Sequence, residues 1–128
     1  MITDRAVEAM LERERALYVQ RNPRSRSFAA ESGRYWLHGV PMQWMVDWPT
    51  PFPLTIAGAK GVSLTDADGN TYRDFCLGDT GAMFGHSPAP VADTLASQGA
   101  RGLTTMLPSE DAAAVGELLA DRFGLQLG

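Results

Sequence analysis

The amino-acid sequence predicts an α+β segment with an N-terminal helix, an irregular wrapping stretch, a small three-stranded antiparallel sheet and two C-terminal helices. Three observations predict it. Apolar residues recur at helical spacing near both ends of the chain. Between residues 54 and 75, strand-forming runs alternate with turns rich in glycine and aspartate. Between them, residues 36–53 hold all 3 tryptophans together with Pro41, Pro49, Pro51 and Pro53.

The first helix covers residues 4–20. Thr3 is its N-cap, and Asp4 and Glu8 sit early, where the helix dipole favours anions. Val7, Met10, Leu11, Leu17 and Tyr18 share one apolar face, Arg13, Arg15 and Arg21 come late, and Asn22-Pro23 is read as the stop. Residues 22–53 read as irregular. Trp36, Met42, Trp44, Met45, Val46, Trp48 and Phe52 make this stretch too apolar for a solvated linker, so it is expected to lie against a partner surface.

The sheet follows. Strands are expected at 54–57, 62–65 and 71–75, with one turn at 58–61 and another at 66–70. In the second turn Gly69 and Asn70 tolerate positive φ, and Asp66 and Asp68 are expected to bond back to local amides. Residues 76–87 are a glycine-punctuated loop. Ser87 is read as the N-cap of a helix that has Pro88 at its first position and runs to about Gln98 with Val91 and Leu95 inward. Ser109 is read as the cap of the last helix, with Val115, Leu118, Leu119 and Phe123 as its buried face and Gly124 as its stop.

Composition narrows the function classes. The 128 residues are 45% apolar and 20% charged, which suits one domain with a core. The net charge is −4, but residues 1–34 hold seven arginines and five acids, while the remainder holds four basic groups and ten acids. A mildly basic arm on an acidic body is not a nucleic-acid or membrane-surface footprint, and the arginines between 13 and 26 read as a solvated helix end. No run approaches the ~18 apolar residues of a membrane span. The single cysteine, Cys76, allows no intrachain disulfide and fits a reducing, cytoplasmic setting; it is read as a small buried residue. One cysteine and two histidines, His38 and His86, cannot build a structural zinc site, so no metal is expected. His86 reads as a packed, hydrogen-bonded loop residue. Phosphate-loop, nucleophile-elbow and dinucleotide motifs are absent. There is one lysine, Lys60, placed by this reading in the 58–61 turn.

The most specific signal is a long ordered string. Gly61-Val62-Ser63-Leu64-Thr65-Asp66-Ala67-Asp68-Gly69-Asn70-Thr71-Tyr72-Arg73-Asp74-Phe75, followed by Gly85-His86-Ser87-Pro88-Ala89-Pro90-Val91, resembles the N-terminal region of class III aminotransferases. These are pyridoxal-phosphate enzymes of fold-type I, here closest in flavour to glutamate-1-semialdehyde aminomutases and β-amino-acid transaminases. Pro51-Phe52-Pro53-Leu54 and Thr104-Thr105-Met106-Leu107-Pro108 fit the same pattern, so the likeness covers residues 30–124.

The resemblance implies a division into an arm at 1–29 and, at 30–128, the N-terminal part of the small domain of a transferase. It implies pyridoxal 5'-phosphate as cofactor, a small-molecule amino donor and keto acceptor, and a homodimer or a separate cofactor-binding domain as partner, with neither nucleic acid nor membrane involved. In such enzymes a lysine, a buried aspartate and a Ser-Gly-Thr turn hold the cofactor, and all three lie downstream of the stretch seen here. No catalytic or cofactor-binding residue is therefore assigned in this chain, Lys60 included. The 128 residues are expected to be inactive alone, and the chain to stop where a large cofactor domain would begin.

The resemblance also places the loop 77–84 against the substrate, with Trp44, Gly78, Asp79, Thr80, Thr104 and Thr105 as pocket residues. Two positions depart from the pattern. Asp79 stands where the aminomutases often carry an aromatic residue, and is expected either to bond a polar substrate or to cap the turn. Trp44 stands near the position of a carboxylate-binding arginine, which makes a transaminase a better fit than a true aminomutase. The competing reading is a non-catalytic docking or dimerisation module derived from that family.

Overall fold

A computed structural model describes residues 3–124 of the chain. Among them the architecture is α+β, with four helices and a three-stranded antiparallel sheet. The chain divides into two compact units, Met1–Pro88 and Ala89–Gly128. Residues 125–128, where the sequence suggests a break before a cofactor domain, lie outside the described residues.

The first unit opens with α1, Asp4–Arg21, whose N-cap Thr3 accepts a hydrogen bond from the Ala6 amide. Asn22 closes it, its side-chain amide donating to the Tyr18 carbonyl at 2.8 Å. Residues 23–32, predicted irregular, instead form a second helix, α2, Pro23–Ser32. Pro23 ends one helix and starts the next, because its fixed φ suits a first helical position. The cap comes from far along the chain. Asp68 accepts from the Arg24 amide at 2.7 Å, the Ser25 amide at 3.0 Å and the Ser25 hydroxyl at 2.9 Å. Two short 3₁₀ turns, Leu37–Gly39 and Gln43–Val46, interrupt the irregular stretch that follows. Tyr18 fastens α1 to that stretch, its hydroxyl 2.6 Å from the Phe52 carbonyl and its ring 5.0 Å from the Phe52 ring.

The sheet has the order β1-β2-β3, with β1 Ile56–Lys60, β2 Ser63–Asp66 and β3 Thr71–Arg73. The first turn is tighter than predicted. Lys60 pairs with Ser63, so the reversal falls on Gly61-Val62, with Gly61 at φ +57°. Lys60 is thus the exposed last residue of a strand and not part of the turn.

What is buried in this unit is mostly polar. Asn22, Ser25 and Asp66 are buried beside Val40 and Ala67, and Asp66 is 1% exposed. Asp66 accepts from the amides of Asp68 and Asn70, the Asn70 side chain and the Tyr72 hydroxyl. The two aspartates therefore differ. Asp66 organises its own turn as predicted, whereas Asp68 turns away and caps α2. Burial pushes the Asp66 carboxyl up, but these four donors outweigh it and hold it below the usual carboxylate range. Tyr72 is driven the other way, to about 12, by burial and by the carboxylate it donates to.

The second unit holds α3, Ala89–Gly99, and α4, Asp111–Phe123. Gly124 ends α4 in the left-handed region with its amide on the Ala120 carbonyl, as predicted. Two predicted caps differ. Ser87 donates its hydroxyl to the Ala59 carbonyl at 3.2 Å, and no side chain caps α4, whose first amide contact is from Ala112 to the Ser109 carbonyl. The faces predicted to be inward, Val91 and Leu95 on α3 and Val115, Leu118, Leu119 and Phe123 on α4, are exposed, because each helix presents its stripe with no covering layer among the described residues.

Candidate functional site

The loop between β3 and α3 carries most of the predicted pocket residues, and its backbone is unusual. Leu77, Gly78, Asp79 and Thr80 are consecutive and all have positive φ, between 52° and 74°. Only Gly78 does so freely. For an L-residue the left-handed region costs roughly 1–2 kcal/mol, so Leu77, Asp79 and Thr80 together store roughly 3–6 kcal/mol. Strained residues of this kind are enriched at functional sites and persist only where the surroundings over-determine them.

Both ends of the loop are tied down by hydrogen bonds. The Asp74 amide donates to the Val62 carbonyl at 2.9 Å. One oxygen of the Asp74 carboxylate accepts from the Cys76 and Leu77 amides at 2.8 and 3.0 Å. The other lies 2.6 Å from His86 Nε2. The His86 backbone exchanges two hydrogen bonds with Gly61, at 2.8 and 2.9 Å, so the far end of the loop is sewn to the hairpin tip. A side chain at Gly85 would bring its Cβ to 3.2 Å from the Gly61 Cα, which explains the glycine there. The His86 bond first, then the Leu77 amide, hold the Asp74 carboxyl below its usual range. His86 is thus the hydrogen-bonded loop histidine the sequence suggests, but its partner Asp74 was not anticipated. Their spacing of twelve residues across a loop gives no periodic signal; the hint is that Asp74 directly follows a strand and His86 follows a glycine.

Gly78, Asp79 and Thr80 are thus brought together at one exposed bend. Among the described residues no hydrogen bond involves the Asp79 carboxylate, so it caps no turn amide. Trp44 lies in the second 3₁₀ turn, about half exposed. Thr104 and Thr105 lie in the second unit, where the Thr105 hydroxyl donates to the Leu107 carbonyl at 2.7 Å. Cys76, predicted buried, is exposed, because its amide and not its thiol is what the turn uses.

The residues present do not fit a bound pyridoxal phosphate by themselves. Lys60 stands exposed at the hairpin edge. One cleft, of about 290 Å³, lies between α1 and residues 49–51 and is lined by Tyr18, Arg21 and Tyr72 among others, but by no lysine. A larger depression, about 670 Å³, is lined among the described residues by Val115, Leu118, Leu119, Asp121 and Arg122 of α4 and lies open along that helix face. No cluster of metal-ligating side chains and no helix long and apolar enough to cross a membrane occurs among the described residues.

Comparison with known proteins agrees with the motif reading. No protein-family profile matches the chain. A glutamate-1-semialdehyde aminomutase structure from Pseudomonas aeruginosa superposes with a TM-score of 0.88 at 47% identity, covering 99% of this chain and 28% of that one. A variant of that enzyme was solved in complex with PMP. A β-phenylalanine aminotransferase structure from Variovorax paradoxus superposes with a TM-score of 0.79 over 93% of this chain and 27% of its own. Aligned by sequence, the β-phenylalanine transaminase of that organism is 36% identical over 106 residues, 80% of this chain and 24% of its own length. The aminomutase of Thermoplasma volcanium is 33% identical over 70 residues, 55% of this chain and 17% of its own length. The chain spans about a quarter or less of the relatives it matches.

Proposed function

We propose that this chain, which resembles class III pyridoxal-phosphate-dependent aminotransferases of fold-type I over about a quarter of their length, supplies the substrate-side wall of such an enzyme. The reaction is transfer of an amino group between an amino acid or amine and a keto acid. The cofactor is held by residues outside this chain. The observation that carries the reading is the strained bend at 77–80, set in a segment superposing on an aminomutase at 47% identity. In the first unit Gly78, Asp79 and Thr80 face the substrate together with Trp44, and Asp79 offers an amine or hydroxyl a carboxylate unengaged among the described residues; in the second unit Thr104 and Thr105 are assigned to the substrate by the same likeness. Partners are a second copy of the chain or a cofactor-binding domain, and the setting is cytoplasmic.

Two measurements test this. A hybrid of the P. aeruginosa aminomutase, with this chain in place of the matching segment, is expected to bind cofactor and transfer amino groups. A folded, cofactor-loaded hybrid without amino transfer contradicts the reading. The 128 residues alone, treated with pyridoxal phosphate and borohydride, are expected to show no selective label on Lys60, which stands exposed at the end of a strand, apart from any phosphate-binding turn among the described residues. Selective, stoichiometric labelling there contradicts it.

A second reading, a non-catalytic docking module, is favoured by one observation: Trp36, Trp44 and Trp48 are each half exposed or more. It predicts that the hybrid is folded and cofactor-loaded but inactive.

A further inference from the structure

We propose that Asp74 and His86 are a positioning pair that locks the 76–85 loop in its left-handed conformation and thereby sets where Asp79 and Thr80 stand. The functional part of this rests on the reading of that loop as a substrate-side wall; the clamp itself does not.

One carboxylate performs two tasks. Its Oδ1 gathers the Cys76 and Leu77 amides at the start of the loop, and its Oδ2 holds His86 Nε2 at the end. Both ends are independently tied to the β1–β2 hairpin, Asp74 through its amide to Val62 and His86 through its backbone to Gly61. The Asp74–His86 bond closes the ring between these two anchors. Inside the loop the remaining bonds are short turn bonds, such as Ala82 amide to Leu77 carbonyl at 2.8 Å. Apolar packing does not hold it either, since Phe75 and Phe84 are 95% and 93% exposed. The left-handed run is therefore imposed from its ends. Released there, Leu77, Asp79 and Thr80 fall back to right-handed conformations, and the carboxylate of Asp79 moves with them.

The arrangement assigns the proton. A carboxylate only accepts, so His86 donates from Nε2, and it can do so as neutral imidazole or as imidazolium. The bond, shared between two largely buried side chains, is charge-assisted in either state.

Amide hydrogen exchange and imidazole nitrogen NMR on the full chain test this without cofactor or substrate. In His86→Ala the Cys76, Leu77 and Ala82 amides are expected to exchange at least about tenfold faster, with the Asp66 and Ala67 amides unchanged. His86→Gln, which returns a side-chain N–H at similar reach, is expected to restore most of the protection. In the unaltered chain His86 is expected in the Nε2–H form when neutral. Unchanged loop protection in His86→Ala overturns the proposal. So does a His86→Gln variant no better than His86→Ala, a loss shared equally with Asp66 and Ala67, or a neutral Nδ1–H form. An inactive hybrid with a protected loop counts against the transaminase reading alone, and an active hybrid with an unprotected loop against the clamp alone.

Discussion

Two turns in the first unit begin alike and end differently. At 66–70 and at 74–80 an aspartate carboxylate gathers the amides that follow it, Asp68 and Asn70 in one case, Cys76 and Leu77 in the other. The first turn spends its one positive φ on a glycine, Gly69, and buries its aspartate. The second buries its aspartate too, but places leucine, aspartate and threonine in the left-handed region and leaves the bend at 78–80 exposed. The first turn finishes a structure: every donor around Asp66 is used, and the Asp68 beside it reaches across to cap α2. The second holds a conformation that its own residues oppose, and it leaves the Asp79 carboxylate without a hydrogen bond among the described residues. The difference separates a turn that relaxes into its conformation from a loop that has to be held in one.

The largest expected effect lies in the relaxed turn. Asp66→Ala leaves four donors without their acceptor at a buried site, and is expected to destabilise by about 3 kcal/mol in urea unfolding followed by circular dichroism. A loss below about 1 kcal/mol would mean that water replaces the carboxylate and that the two turns are less different than they look. Next comes Gly85→Ala, where a positive φ of 88° meets a 3.2 Å approach to Gly61; about 2 kcal/mol is expected by the same measurement. The sharpest contrast is smaller. Gly69→Ala is expected to cost about 1 kcal/mol, whereas Thr80→Gly is expected to stabilise by about 1 kcal/mol, because it removes left-handed strain that Gly69 never had. Equal signs for the two substitutions would refute the comparison.

Acid and alkali probe the same knot from opposite sides. Asp66, Asp68 and Asp74 are held below the ordinary carboxylate range. Their stabilisation is present above the unfolded-state value of about 4 and is lost as pH falls through the depressed folded values. Tyr72, raised to about 12, contributes stability that is whole below its unfolded value of about 10 and fades as pH rises through 12. A stability plateau between these limits, measured by thermal unfolding across pH, is the expected outcome.

The sequence made the local part of this legible. The Thr3 cap, the helical stripe of α1, the Asp66 turn and the Gly124 stop follow from neighbours within a few residues. Helix α2 did not, because its cap, Asp68, lies 44 residues beyond Arg24 and no local window contains both. The exposed stripe of α4 was misread as buried because amphipathic spacing identifies an apolar face without saying what covers it. At the candidate site, Gly78, Asp79 and Thr80 came from a family likeness, and their strained backbone had no signature, since leucine and threonine are poor left-handed residues.

The most direct test of the loop's assignment is the KM for amino donor in the hybrid enzyme carrying Asp79→Ala. The account predicts a rise of about tenfold, the loss of one charge-assisted hydrogen bond, with cofactor absorbance unchanged. An unaltered KM for every polar donor tried would contradict it.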